Sequence, residues 1–332
     1  MIEVNRRKCE DIGNIVKNLR FRLSFFKREL LTFDIEKELK AMVYFYATAI
    51  CHQTRELQSK NKKLVGWDYL TSVFIDLAKT NPDFLRPENL GSMNEIELSI
   101  KLKTIFSDDN NPEHTTLSRS EERARFLINC ANVLRKKFNS SVLKLLEKSD
   151  GYLINGNTGL YHILEEFEAY TDPLKKKSGV LVHFLVSSGL LEIKDTQNIL
   201  PIVDYHVQRV FLRMGCIEVD DNKLREKLKG FEKIESDEDF RTAVQEVFRI
   251  ISRISGKSIL ELDDIFWSLG RSCCQAKTTL CRDKVCGRIP CTFNDFMNLP
   301  NHSNCIFEKN CKGSADSEYR ELLEPNVDTH YY

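Results

Sequence analysis

"SEERARFLINCANVLRKKF" runs from Ser120 to Phe138 and sets Phe126, Leu127, Cys130, Val133, Leu134 and Phe138 at intervals mostly of three and four. That period lays one apolar stripe along an α-helix, and Ser120 with Glu121 and Glu122 gives the helix an acidic start. Stretches of the same kind recur on both sides. "FDIEKELKAMVYFYATAICHQTRELQ" carries Ile35, Leu39, Met42, Val43 and Tyr46 at helical spacing. "DYLTSVFIDLAK", "LYHILEEFEAY", "GVLVHFLVSSGL", "YHVQRVFLRMG", "DEDFRTAVQEVFRIISRIS" and "LELDDIFWSLG" add further helices. Polar breakers such as "KTNPDFLRPENLGS" and "SDDNNPEHTTLS" separate them, and no stretch sustains the alternation of a strand. The expected fold class is all-α.

The 332 residues are 42% hydrophobic and 30% charged, enough apolar content to bury the cores of two modest domains or one large helical one. Net charge is zero, which argues against a polyanion binder driven by overall charge. Two local basic patches, "LRKKF" (134–138) and "DPLKKKS" (172–178), stand out against that balance. The longest apolar stretch, "AMVYFYATAI" (41–50), is too short to span a bilayer. "MIEVNRRKCEDIGN" at the start has no apolar signal region. These features predict a monomer with no membrane partner, cytoplasmic or, in a eukaryote, nuclear, with its thiols reduced.

Seven of the eleven cysteines crowd between Cys273 and Cys311, beginning in "GRSCCQAKTTLC" (270–281). In a reducing compartment such density points to a metal site rather than to disulfides. Cys274 and Cys281 are separated by six residues and Cys305 and Cys311 by five, with Cys286, Cys291 and His302 in between. Zinc accepts four cysteines, or three with a histidine, at varied spacing, whereas an iron–sulfur cluster needs four thiolates. Either would staple a segment that has little core of its own. The acidic, polar residues 312–332 are expected to form a loosely ordered tail.

With "FWSLGRSCC" before it and "CIFEKNC" at its close, this spacing resembles the C-terminal iron–sulfur motif of the endonuclease III family of helix-hairpin-helix DNA glycosylases. The resemblance implies Cys274, Cys281, Cys305 and Cys311 as ligands of a 4Fe-4S cluster, with zinc as the alternative. Cys286 and Cys291 are alternate ligands and Cys273 a buried neighbour. Residues 282–304 stand where that family has a two-residue spacer. A second stretch, "ILPIVDYHVQRVFLRMG", is similar to the family's V-D-x-H-x-x-R-V through Val203, Asp204, His206, Arg209 and Val210. It implies that Asp204 is catalytic. An aspartate just ahead of a helix caps free amides that orient it, and a fixed carboxylate can stabilise the positive charge on a sugar as its glycosidic bond breaks. Taken alone, Asp204 reads as a plain N-cap, and His206 and Arg209 as structural.

"TDPLKKK" falls at the family's hairpin but lacks the glycines that let backbone amides approach a DNA phosphate. Lys175 and Lys176 would supply phosphate contacts as a charge patch, against the plainer reading of a solvated face. Lys177 aligns with the lysine that forms a Schiff base in strand-cleaving members, a role that requires a partly deprotonated amine. Ala78 stands where the family has a glutamine that fills the space left by the extruded base. Trp67, Tyr69, Tyr161 and Phe184 are aromatics able to stack on a base or to pack a core.

The implied architecture is a two-lobed glycosylase-like fold with a C-terminal metal-cluster segment. Its parts are a helical segment over 1–60 packing with the cluster lobe, a central lobe over 61–215, the C-terminal helices and cysteines over 216–311, and the tail over 312–332. The implied function is base excision: an N-glycosylase, with AP-lyase activity if Lys177 serves, removing a modified or damaged base from DNA. One alternative keeps the chemistry and changes the substrate to a modified nucleoside, nucleotide or RNA, as the missing glycines and neutral charge permit. The other is a noncatalytic, metal-stabilised module that binds nucleic acid or protein.

Overall fold

The computed structural model describes residues 2–283, 291–299 and 304–332. The chain is predominantly helical and divides into two compact units, one of residues 1–27 with 200–328 and one of 28–199 with 329–332. No helix among the described residues is long and apolar enough to cross a membrane.

In the first unit, helix Glu238–Ser255 has the most regular apolar face, with Phe240, Val244, Val247, Phe248 and Ile251 all buried. Gly256, in the left-handed region at φ 71°, ends that helix. A reciprocal capping box between Ser258 and Glu261 then starts helix Ile259–Ser272. Helix Tyr205–Met214 completes the trio. The core is set where Phe211, Phe248 and Phe266 meet edge-on, with ring centroids 4.6 to 6.0 Å apart. Helix Arg6–Val16 packs in the same core through Cys9, Ile12 and Val16. Strand Ile2–Val4 pairs antiparallel with Ile217–Val219, in the register Ile2↔Val219 and Val4↔Ile217. Strands of three residues are too short to show a period, which is why sequence alternation does not reveal them.

The second unit is built around helix Lys37–Ala49, buried on every side from Ala41 to Ala49. "AMVYFYATAI" is thus a core helix, hydrophobic all round because other elements cover every face. The Phe45 ring stacks on Tyr170 at 5.3 Å, and the Tyr170 hydroxyl donates to the Phe45 carbonyl at 2.6 Å. Helix Ser120–Lys137 buries Phe126, Leu127, Cys130 and Leu134 as its sequence predicts, while Val133 is half-buried. The Ser120 hydroxyl bonds Ser99 rather than capping its own helix. A second small hairpin pairs Gln58–Ser59 with Leu64–Val65.

Residues 312–332 are tied down rather than loose. In the first unit Leu322 enters the core and Glu324 forms a buried ion pair with Arg209 at 2.6 Å. In the second, the Tyr332 carbonyl accepts from the Gln53 amide at 3.2 Å and His330 packs on Phe126. Acidic composition suggests solvation, but one acid paired with a buried guanidinium reverses that expectation. Glu324→Ala should therefore destabilise the fold by about 3–5 kcal/mol in urea unfolding, because it leaves Arg209 buried and uncompensated. The double variant Arg209→Met/Glu324→Leu should lose much less, and equal losses in the two would refute the pairing.

Candidate active site

Asp204 is the N-cap of helix Tyr205–Met214, and its Oδ1 accepts from the Val207 amide at 3.0 Å. The side chain is buried, so its orientation is fixed by the helix rather than by solvent. One turn on, the Gln208 amide donates to the Asp204 carbonyl at 3.1 Å, and Gln208 Nε2 donates to Asp237 Oδ2 at 3.3 Å. Arg209 anchors the same helix. It donates to the Cys274 carbonyl at 2.9 Å, the Gly270 carbonyl at 3.0 Å and Glu324, and lies 3.0 Å from His206 Nδ1. Burial is the largest single influence and disfavours its charge, but the charge and hydrogen bond of Glu324 together with Cys274 and Tyr205 raise the pKa on balance. Gly270 permits the crossing: a Cβ there would sit 2.8 Å from His206 Cβ and 3.0 Å from its carbonyl oxygen. His206 and Arg209 therefore hold the Asp204 helix in place.

The cysteines lie further along the same unit. Arg213 Nη1 donates to Cys274 Sγ at 3.6 Å, and the Cys311 thiol donates to the Arg213 carbonyl at 3.5 Å. Burial pushes the Cys311 thiol up to about 12, with Cys274 and Cys281 adding to the effect. Burial likewise raises Cys305, and Cys311, Cys274 and Cys281 push in the same direction. Cys273 and Cys291 are buried in the core. Cys286, His302 and the rest of 284–290 and 300–303 within the 282–304 insertion lie outside the described residues.

In the second unit the lysine run is not a solvated face. Asp172 carboxylate oxygens accept from the Leu174 and Lys176 amides at 3.0 and 2.8 Å, and Lys175 adopts the left-handed region at φ 58° to start helix Lys176–Ser187. Lys175 pairs with Glu165, and Lys176 Nζ donates to Cys51 Sγ at 3.2 Å. Lys177 is fully buried. Its Nζ donates to the Ala49 carbonyl at 2.7 Å, lies 3.4 Å from His52 Nδ1 and sits over the Phe126 ring at 4.8 Å. Burial lowers its pKa to about 7, with Lys176 and Arg123 adding to that and Cys51 opposing it. The lowered value supplies the neutral amine that a Schiff base needs, but the Ala49 carbonyl and the His52 ring already engage that nitrogen. His52, which sequence reasoning passed over, lies 2.9 Å from Glu122, and burial holds its pKa well below the usual value. Ala78, Tyr69 and Tyr161 are core residues. Phe184 is stacked between Tyr44 and Trp67, at 5.7 and 5.3 Å.

Residues 43–269 match the family model described as queuosine salvage protein, which covers well over half of the chain. The chain belongs to that family. Among curated relatives, queuosine 5′-phosphate N-glycosylase/hydrolase of Bos taurus is 28% identical over 120 residues, which is 33% of this chain. That alignment spans 35% of the relative's own length, about a third. Both Asp204 and Lys177 fall inside the family match, and the cysteines from Cys273 onward fall outside it.

Family membership corrects the sequence-based assignment. The chain is not an endonuclease III-like DNA glycosylase, and DNA repair, strand-cleaving lyase activity and DNA as partner go with that assignment. The cysteine spacing misled because four residue positions were matched across a long insertion, while the longer helical stretch from 43 to 269 carries the family. The family match lends no support to an iron–sulfur cluster either, since it ends before Cys273. Among the described residues no group of three or more His, Cys, Asp or Glu side chains is assembled to hold a metal ion.

The buried amine makes a measurable prediction. Lys177 has an ordinary pKa of 10.5 when unfolded and one lowered to about 7 in the fold, so the unfolded chain binds more protons between these values. Stability from this group therefore climbs as pH rises from 7 toward 10.5. Lys177→Met should flatten that climb by up to ~1.4 kcal/mol per pH unit in urea unfolding followed against pH. Parallel curves for variant and wild type would show that the folded amine keeps its charge.

Proposed function

We propose that this chain is an N-glycosidase that hydrolyses the bond between a modified base and ribose in a nucleotide of the queuosine 5′-phosphate type, with Asp204 as its catalytic carboxylate. The observation that carries the proposal is the fixed, buried Asp204 at the head of helix Tyr205–Met214, inside the stretch that matches the queuosine salvage family. The activity named for the Bos taurus relative supports the substrate class.

The chemistry follows from the carboxylate. As the C1′–N bond lengthens, positive charge collects on C1′ and the ring oxygen, and a carboxylate already oriented by the Val207 amide stabilises it without reorganising. Water adds its hydroxyl to C1′, Asp204 takes up the water's proton, and that same proton passes on to the departing base, leaving the carboxylate as it began. The products are the free base and ribose 5-phosphate. The segment at 171–177 fits a small-nucleotide substrate, since its lysines are turned onto Glu165, Cys51 and Ala49 rather than outward along a phosphate backbone.

Incubating the protein with queuosine 5′-phosphate and following released base by chromatography tests the proposal. Wild type should release base, and Asp204→Asn should lower turnover by roughly 100-fold or more while keeping the melting temperature. A wild-type protein inert on this nucleotide, or an Asn variant with full turnover, would overturn it. Duplex oligonucleotides carrying damaged bases should remain intact.

A further inference from the structure

Gln208 combines two features that structural packing alone does not explain. Its side chain is fully buried, yet among the described residues its Oε1 has no hydrogen-bond partner. A buried polar atom left in this state is uncommon in folded proteins and calls for a partner. The other end of the same amide is fixed, because Nε2 donates to Asp237 Oδ2 at 3.3 Å. A carboxylate offers only acceptors, so the contact turns the NH₂ toward Asp237 and leaves the oxygen on the amide's opposite side.

The position of Gln208 gives that oxygen its meaning. Its backbone amide bonds the Asp204 carbonyl at 3.1 Å, which places it one turn along the helix from the catalytic carboxylate. Residues so spaced share a helix face, with side chains beginning about 5–6 Å apart. A nucleotide whose C1′ meets Asp204 carries its own donors, the ribose hydroxyls and the base N–H groups, within that reach.

We infer that Gln208 is a substrate-contacting residue whose Oε1 accepts a hydrogen bond from a donor of the nucleotide held at Asp204, with Asp237 as the positioning residue that fixes the amide. The inference rests on the N-glycosidase reading and adds to it the residue that reads the substrate. A missing donor in the ligand, or a missing acceptor in the protein, then costs binding in proportion.

The test compares Gln208→Met, which keeps the length and removes the acceptor, with wild type. The expected result is a 10- to 100-fold loss in kcat/KM with the melting temperature unchanged. In the turnover-deficient Asp204→Asn background, Gln208→Met should weaken binding of queuosine 5′-phosphate by calorimetry at least tenfold, a change that a purely structural role would not produce in a folded protein. If Gln208→Met fails to fold, Gln208→Asn, which withdraws the oxygen by one methylene, makes the same comparison. A 2′-deoxy substrate that is insensitive to the substitution assigns the contact to the 2′-hydroxyl, and one that loses the same factor assigns it to another donor, the base included. Unchanged kcat/KM and unchanged binding overturn the inference. If Asp204→Asn itself retains turnover, the catalytic assignment has failed instead, so the two failures are told apart.

Discussion

A helix that ends inside a protein leaves carbonyls with no amide partners, and this chain meets that constraint in both units with buried basic side chains. In the second unit the C-terminal end of helix Lys37–Ala49 offers the carbonyls of Ala49, Ile50 and His52. Lys177 takes the first, and Arg123 takes the Ile50 carbonyl together with that of His52 at 2.6 Å. Arg123 also reaches the Ser118 carbonyl at 2.8 Å, so it joins the chain before helix Ser120–Lys137 to the end of the central helix. Burial lowers the Arg123 pKa to about 10, high enough for the guanidinium to stay charged at neutral pH. A charge there is compatible with the helix end, whose carbonyls carry partial negative charge.

Arg209 performs the corresponding task in the first unit, with a different consequence. Its bonds to Gly270 and Cys274 satisfy carbonyls at the end of helix Ile259–Ser272, and its pair with Glu324 balances the charge. Because Arg209 projects from the helix that Asp204 caps, the same bonds fix where the carboxylate stands. The C-terminal segment thereby helps to place Asp204 through the Arg209–Glu324 pair. Arg213, one turn further, adds bonds to the carbonyls of Leu322, Gln275 and Ala276 at 2.6 to 3.0 Å. The loop after Ser272 is held by these arginines, which gives it a staple made of hydrogen bonds.

What the sequence discloses and what it conceals follow from range. The stripe of Ser120–Phe138 and the cap at Asp204 are local patterns, set by spacing over one or two turns, and both read directly from the residues. The fate of "KKK" at 175–177 is not local. Whether those ammonium groups face water depends on Glu165, Cys51 and Ala49, the last two more than a hundred residues away. The acidic tail conceals its structure for the same reason, since Glu324 becomes a core residue only through Arg209. Gln208 was within reach: an amide one turn beyond a candidate catalytic aspartate, on a helix face otherwise apolar, is a polar residue at a core position. Asp237, which gives that amide its direction, lies 29 residues further along the chain and could not be paired with it by spacing.

The substrate was misassigned on sequence, and the physical reason is that glycosidic chemistry and substrate choice depend on different surfaces. Cleavage of any N-glycosidic bond develops positive charge on the sugar, so a carboxylate held by helix amides serves a DNA glycosylase and a nucleotide hydrolase alike. Substrate choice depends instead on what meets the rest of the ligand. A duplex binder needs backbone amides or outward cations along a phosphate track, and its affinity falls steeply with salt. This chain turns the lysines at 175–177 onto Glu165, Cys51 and Ala49, and Asp172 closes the turn before them. A nucleotide needs no such track. It needs a few polar atoms near C1′, already oriented before it arrives, and a buried amide locked by a carboxylate is such a group.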